Sequence, residues 1–318
     1  MTRAPEARPL KKGEGDVALF ETVVRRVRNG ESYYPAMGVE LRTRGYPTAS
    51  VFNWRTPFPL TAVAAAPRLV AVAFFALGVL AVGGTILLLI REPPGGMLIG
   101  ILAQIGVTVS LLKVPQFALM GEAWAGFLIM TSVLAYARRW WATAAVFGVM
   151  ALLARELAAP YCLVCGITAF AQRRWREGAV WMLGAVVYVA YLLLHFFQVD
   201  AQLGAQEVAH RQSWIQLGGL PFLLRVVSFS GWYDVLPVWT RAVGCMLLAA
   251  SVWAADAPRQ LRAMVAAYLI FFSVVGLPFN QYWGLVTAPA FALATGYGLL
   301  GLWRLIIAAR EPKPSAAR

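Results

Sequence analysis

LVAVAFFALGVLAVGGTILLLI, residues 69–90, contains no charge and no proline, and its reading decides the fold class. As a helix it rises about 33 Å at 1.5 Å per residue. That matches a bilayer hydrocarbon core about 30 Å thick, for which roughly 20 apolar residues are needed. A tight turn follows, Arg91-Glu92-Pro93-Pro94-Gly95-Gly96. Further apolar runs occupy residues 97–112, 123–137, 142–154, 157–171, 178–197, 238–255, 264–279 and 285–307. The sequence therefore predicts an all-α, polytopic integral membrane protein with about nine membrane segments. The runs 142–154 and 157–171 are too short to cross fully. They are expected to turn early and to leave Arg155-Glu156, which separates them, in a cavity or at a recessed rim.

Composition agrees. Of the 318 residues, 60% are hydrophobic and 14% charged, whereas soluble domains carry about half and a quarter. Twelve Trp and 17 Phe argue against disorder, and three Cys are too few for a disulfide scaffold. The net charge of +13 is spread over loops, with no Gly-rich phosphate loop and no nucleic-acid motif. No nucleic-acid partner is expected; membrane lipid is.

Lys and Arg accumulate on cytoplasmic loops. One set of segment ends carries 12 basic residues and the other, beyond residue 68, carries 5. This predicts a cytoplasmic C-terminus. With nine segments, residues 1–68 then lie outside, although they hold 11 basic residues. The expected organisation is a flexible basic tail (1–15), an extracytoplasmic first loop with amphipathic helices (16–68), a transmembrane domain (69–307, outer loop 198–236) and a cytoplasmic tail (308–318). Three explanations of that basic outer segment compete: a span count off by one, a tail translocated despite its charge, or a hydrophobic helix expected before residue 16 and lost through a misplaced start or a truncation.

Polar groups at membrane depth are functional candidates by default, and here they fall on the predicted outer side. Asp16 opens an amphipathic helix whose apolar face is Val17, Phe20, Val23, Val24 and Val27 and which Gly30 can end. Asp16 reads either as a functional carboxylate or as a simple N-cap. The aromatic and proline-rich stretch Tyr33-Tyr34-Pro35, Tyr46-Pro47 and Phe52-Asn53-Trp54-Arg55-Thr56-Pro57 reads as an interfacial anchor or as a platform for a sugar or lipid headgroup. In the second case Tyr34 and Trp54 would touch substrate, and Arg55 would grip a phosphate. Glu122 stands at the outer end of a span. Arg155 and Glu156, adjacent in sequence, are not expected to face each other on a helix; Arg155 is expected to meet Glu122 or Asp16. Asn280-Gln281-Tyr282-Trp283-Gly284 reads as an outer turn rich in hydrogen-bonding groups. His195 and His210 read as structural or interfacial. Cys162, Cys165 and Cys245 read as packing residues, since neither a redox context nor a second ligand pair accompanies them.

The order of these motifs resembles membrane-embedded GT-C glycosyltransferases and a set of bacterial integral membrane proteins grouped with them. The motifs that carry it are Gly15-Asp16, Phe52-Asn53-Trp54-Arg55-Thr56-Pro57, Glu122-Ala123-Trp124-Ala125-Gly126, Ala154-Arg155-Glu156 and Pro278-Phe279-Asn280-Gln281-Tyr282-Trp283-Gly284. The resemblance spans roughly residues 15–305. It implies an inverting transferase of the bacterial inner membrane, with a polyprenyl-phosphate sugar donor, an acceptor and an extracytoplasmic active site. It also implies catalytic roles for Asp16 and Glu122, donor-phosphate neutralisation by Arg155, and a divalent metal, if one is used, between Asp16 and Glu122. Asp16 lacks the adjacent second acid that some relatives carry. A transporter or lipid flippase, and a non-catalytic scaffold on the same fold, are the alternatives.

Overall fold

The computed structural model describes residues 15–204, 217–230 and 237–310. The expectations for the tail up to residue 14, for His210 and for residues 311–318 lie outside the described residues. Those described form helices: α1 (Asp16–Arg28), α2 (Tyr33–Thr43), α3 (Leu60–Ala65), α4 (Pro67–Leu89), α5 (Pro94–Lys113), α6 (Gly121–Ala137), α7 (Trp141–Ala154), α8 (Ala159–Ala171), α9 (Trp175–Asp200), α10 (Gly219–Ser230), α11 (Trp239–Trp253), α12 (Arg259–Val274) and α13 (Ala288–Arg310). No strand is present among the described residues.

Among the described residues, four helices are long and apolar enough to cross a membrane: α4, α5, α9 and the Ala288–Ile307 part of α13. Their outward flanks are bare aliphatic and aromatic side chains, such as Leu69, Val72, Phe75, Val79 and Leu87 on α4, and Leu183, Val186, Leu194 and Phe197 on α9. A helix apolar all round belongs in lipid or in a large core, so this surface is compatible with a multi-pass membrane protein.

Each remaining apolar run also forms a helix, of 13 residues in α8 and 17 in α6. One run is corrected. The stretch 264–279 does not continue as a helix: α12 stops at Val274, the chain turns through Gly276 at φ 131, and a 3₁₀ turn runs from Pro278 to Val286. A backbone at that φ requires glycine, and Pro278 has no N–H with which to extend α12.

Helix α6 is the spine. Nearly every residue from Glu122 to Tyr136 is buried, with α4, α7, α13 and the Pro278–Val286 turn packed around it. Close approach depends on small residues. Gly126 lies against the Leu285 carbonyl, and Gly96 and Gly100 of α5 meet Gly296 and Leu300 of antiparallel α13.

Short links alternate between two ends of the bundle. One end gathers Arg91, Arg138, Arg139, Arg173, Arg174 and Arg259, with the exposed indoles of Trp140, Trp175 and Trp253. The opposite end holds the 3₁₀ turns Pro115–Leu119, Glu156–Ala158 and Pro278–Val286, and α1 packs there on α2, α3 and the first of those turns. That second end carries the site.

Candidate functional site

The first segment is folded around Trp54. This indole is fully buried, donates from Nε1 to the Thr48 carbonyl at 2.8 Å, and lies beneath the Arg42 guanidinium. Gly38 makes room for it: a Cβ there would fall 2.8 Å from the ring. Trp54 is thus a core residue of the segment and does not line the cavity described below, which removes it as a substrate platform. Tyr34 is also turned away. Its hydroxyl meets His195 Nδ1 at 2.9 Å, pinning the segment to α9, and burial pushes its phenol up to about 12.

The turn after Trp54 aims Arg55 into the bundle. Arg55 adopts φ 55, in the left-handed region that L side chains seldom enter. Tyr33 holds it there: the single O–H of buried Tyr33 is shared among the carbonyls of Trp54, Arg55 and Thr56, at 3.0, 3.3 and 3.3 Å. Backbone strain of this kind, about 1–3 kcal/mol, persists only where the surroundings over-determine it.

Arg55 reaches a charge cluster. Its Nη2 donates to the Tyr282 hydroxyl at 2.9 Å and lies 3.6 Å from Asp16 Oδ2. Its Nη1 lies 3.4 Å from Glu122 Oε1. Burial works against the Arg55 charge, but Tyr282, Glu122, Asp16 and Glu156 more than offset it and keep the guanidinium protonated above its usual range. The same Glu122 oxygen lies 3.0 Å from Arg155 Nε, and Arg155 Nη1 lies 2.9 Å from Glu156 Oε1. Three carboxylates therefore face two guanidiniums.

Asp16 is the first residue of α1. The N-cap is Gly15 at φ 93, with no side-chain capping bond, so the capping reading of Asp16 does not hold. Its Oδ1 instead accepts from the Tyr46 hydroxyl at 2.8 Å. Burial first, and then the Asp16 charge, pushes the Tyr46 phenol well above its usual range, so it stays a donor.

Arg155 meets Glu122, as expected, but it also pairs with its neighbour Glu156. The helix rule against adjacent pairs fails here because Arg155 is extended (φ −159, ψ 127) between α7 and the turn Glu156–Ala158. Gly121 makes the α6–α7 meeting possible: a Cβ there would lie 2.6 Å from the Ala154 carbonyl oxygen.

These groups stand at one end of a cavity of about 1350 Å³ lined by Asp16, Tyr46, Arg55, Arg155, Glu156, Asn280, Tyr282 and Trp283. Glu122 does not line it; the carboxylate is buried beneath both guanidiniums and orients them. The rest of the wall is apolar: Leu163 and Val164 of α8, Tyr188 and Leu192 of α9, and Ala267, Ile270 and Phe271 of α12. Helix α8 packs between α9 and α12, and the wall residues Leu163, Ile270 and Phe279 are exposed. One cavity thus joins a charged head to an apolar trough.

Asp16 and Glu122 do not form a metal pair as they stand, because the Arg55 guanidinium lies between them. No group of three or more His, Cys, Asp or Glu suited to a metal occurs among the described residues. All three cysteines are free, and Cys162 donates to the Gly148 carbonyl in a helix contact.

Sequence reasoning missed Tyr33 and Tyr46 as supports of Arg55 and Asp16, although both belong to the aromatic stretch it singled out. It also missed Gly121 and the trough residues Tyr188, Leu192 and Ile270, which read in sequence as ordinary lipid-facing positions. Comparison with known proteins finds no matching family model, no similar curated protein and no similar solved structure.

Proposed function

We propose that this chain is a multi-pass glycosyltransferase of the bacterial inner membrane. In this reading it has about nine membrane segments, a cytoplasmic C-terminus and residues 16–68 outside, and it transfers a sugar from a polyprenyl-phosphate donor to an acceptor on the extracytoplasmic face. The observation that carries the reading is the cavity itself, in which a charged head is continuous with an apolar trough. An amphiphile with a phosphate and a long hydrocarbon chain has that same division.

The chemistry then follows from the groups present. Asp16 is the cavity carboxylate placed to take a proton, held by Tyr46 and flanked by Arg55. An acceptor hydroxyl oxygen bonds to the anomeric carbon while the bond from that carbon to the phosphate oxygen breaks. The hydroxyl proton goes to Asp16, and the electron pair leaves with the polyprenyl phosphate. Positive charge fixed beforehand near the departing phosphate lowers the barrier, and Arg155, oriented by Glu122 and Glu156, supplies it.

The test is Asp16→Asn, which retains an oxygen to accept from Tyr46 and removes the base. Loss of a general base lowers rate about 10²–10⁴-fold. Purified wild type and variant, given a radiolabelled polyprenyl-phosphate sugar in proteoliposomes, should differ by that factor at equal insertion. Near-normal transfer by the variant refutes the assignment. Movement of labelled lipid across the bilayer with no glycosidic product would favour a transporter or flippase instead.

A further inference from the structure

We propose that Asn280 Nδ2 is a phosphoryl-binding donor at the junction of the charged head and the apolar trough. The inference deepens the proposed function and rests on it.

Asn280 has no solvent exposure in the fold, yet its side chain lines the cavity. Its orientation is fixed, because Oδ1 accepts from the Leu277 backbone N–H at 2.9 Å. Nδ2 therefore cannot exchange places with the oxygen, and it has no hydrogen-bond partner among the described residues. A buried amide donor left unpaired is costly and calls for an explanation. Arg155 lines the same cavity, with its Nε turned to Glu122 Oε1 at 3.0 Å and its Nη1 to Glu156 Oε1 at 2.9 Å. The turns that carry the two, Glu156–Ala158 with its preceding Arg155 and Pro278–Val286, touch each other.

Asn280 Nδ2 is a donor only, so it cannot ligate a metal and suits a ligand rich in acceptors. Position separates a phosphate from a sugar. Phe279, next to Asn280, and Ile270 belong to the apolar wall of the cavity and are exposed. In a polyprenyl-phosphate sugar, the polar group bonded to the chain is the phosphate, and the sugar lies beyond it. The donor at the trough's rim therefore faces phosphoryl oxygens.

The experiment measures calorimetric binding of geranyl phosphate, geraniol and inorganic phosphate to the full chain in detergent. Wild type should bind geranyl phosphate more tightly than either of the others. Asn280→Asp keeps an oxygen for the Leu277 N–H and replaces the free donor with an acceptor. It should weaken geranyl phosphate about tenfold or more and leave geraniol unchanged. Arg155→Lys keeps the charge but removes the planar guanidinium fork from the cavity wall and should weaken the same ligand, which covers the case of an unstable Asn280 variant. Equal affinity of wild type and both variants overturns the subsite while leaving the transferase reading intact. Failure of wild type to bind geranyl phosphate overturns the transferase reading. Inorganic phosphate binding as tightly as geranyl phosphate overturns the lipid-phosphate assignment.

Discussion

Glu122 and Arg155 form the tightest test of the site's architecture, because one comes from α6 and the other from the extended link after α7, and both are nearly sealed from solvent, at 2% and 6% exposure. At 3.0 Å their attraction is about 5 kcal/mol for an effective dielectric of 20, most of it offset by the cost of taking two charges out of water. Removing one partner exposes that cost. Arg155→Gln leaves Glu122 with Arg55 alone and Glu156 with no close cation, so it should cost about 3–5 kcal/mol. Glu122→Gln is milder, about 1.5–3 kcal/mol, because Arg155 keeps Glu156 at 2.9 Å and Arg55 keeps Asp16 at 3.6 Å. The double variant buries no unmatched member of this pair and should cost less than the two together, with a coupling energy of about 1–3 kcal/mol. Equilibrium unfolding in mixed micelles of increasing dodecyl sulfate, run on all four proteins, measures the cycle. Single effects that add to within about 0.5 kcal/mol would show that the two side chains do not interact, and the account of the cluster would fall.

Gly121→Ala should lower stability by about 1–3 kcal/mol, since the new Cβ meets the Ala154 carbonyl at 2.6 Å and backbone cannot step aside cheaply. This outweighs the gain in helix propensity of about 1 kcal/mol, and a variant with a raised thermal midpoint would contradict the contact. Tyr33→Phe removes the donor that holds the carbonyls of residues 54–56 and should cost about 1 kcal/mol. Because Arg55 loses its aim, transfer activity should fall by more than the thermal shift suggests; unchanged turnover would separate Tyr33 from the site.

Much of this organisation was legible from periodicity and length. The uninterrupted run 69–90 has no folded alternative to an apolar helix, and α4 covers it almost entirely. The two short runs flanking Arg155-Glu156 placed a charged turn below the rim, where it now lines the cavity. The pairing of Arg155 with Glu122 followed because an isolated charge at that depth needs a partner. Other features had no sequence signal. Trp54 packed in a loop core and Trp54 stacked on a sugar have the same local sequence, and only the Thr48 carbonyl and the space above Gly38 distinguish them. Leu192 and Ile270 look like bilayer-facing residues because an apolar trough and a lipid-facing flank select the same side chains. The rule against adjacent charge pairs failed at Arg155 because it assumes a helical backbone, and the chain there is extended.

The charged cluster is split between two parts of the chain. Asp16 and Arg55 come from the segment ahead of α4, whereas Glu122, Arg155, Glu156 and Tyr282 come from the bundle. The bundle half by itself holds two carboxylates against a single guanidinium, and Arg55 of the leading segment brings the second cation to Glu122. A chain whose bundle has inserted but whose leading segment is stranded elsewhere has no working centre. On the proposed transferase reading, docking of that segment joins completion of the fold to the onset of chemistry.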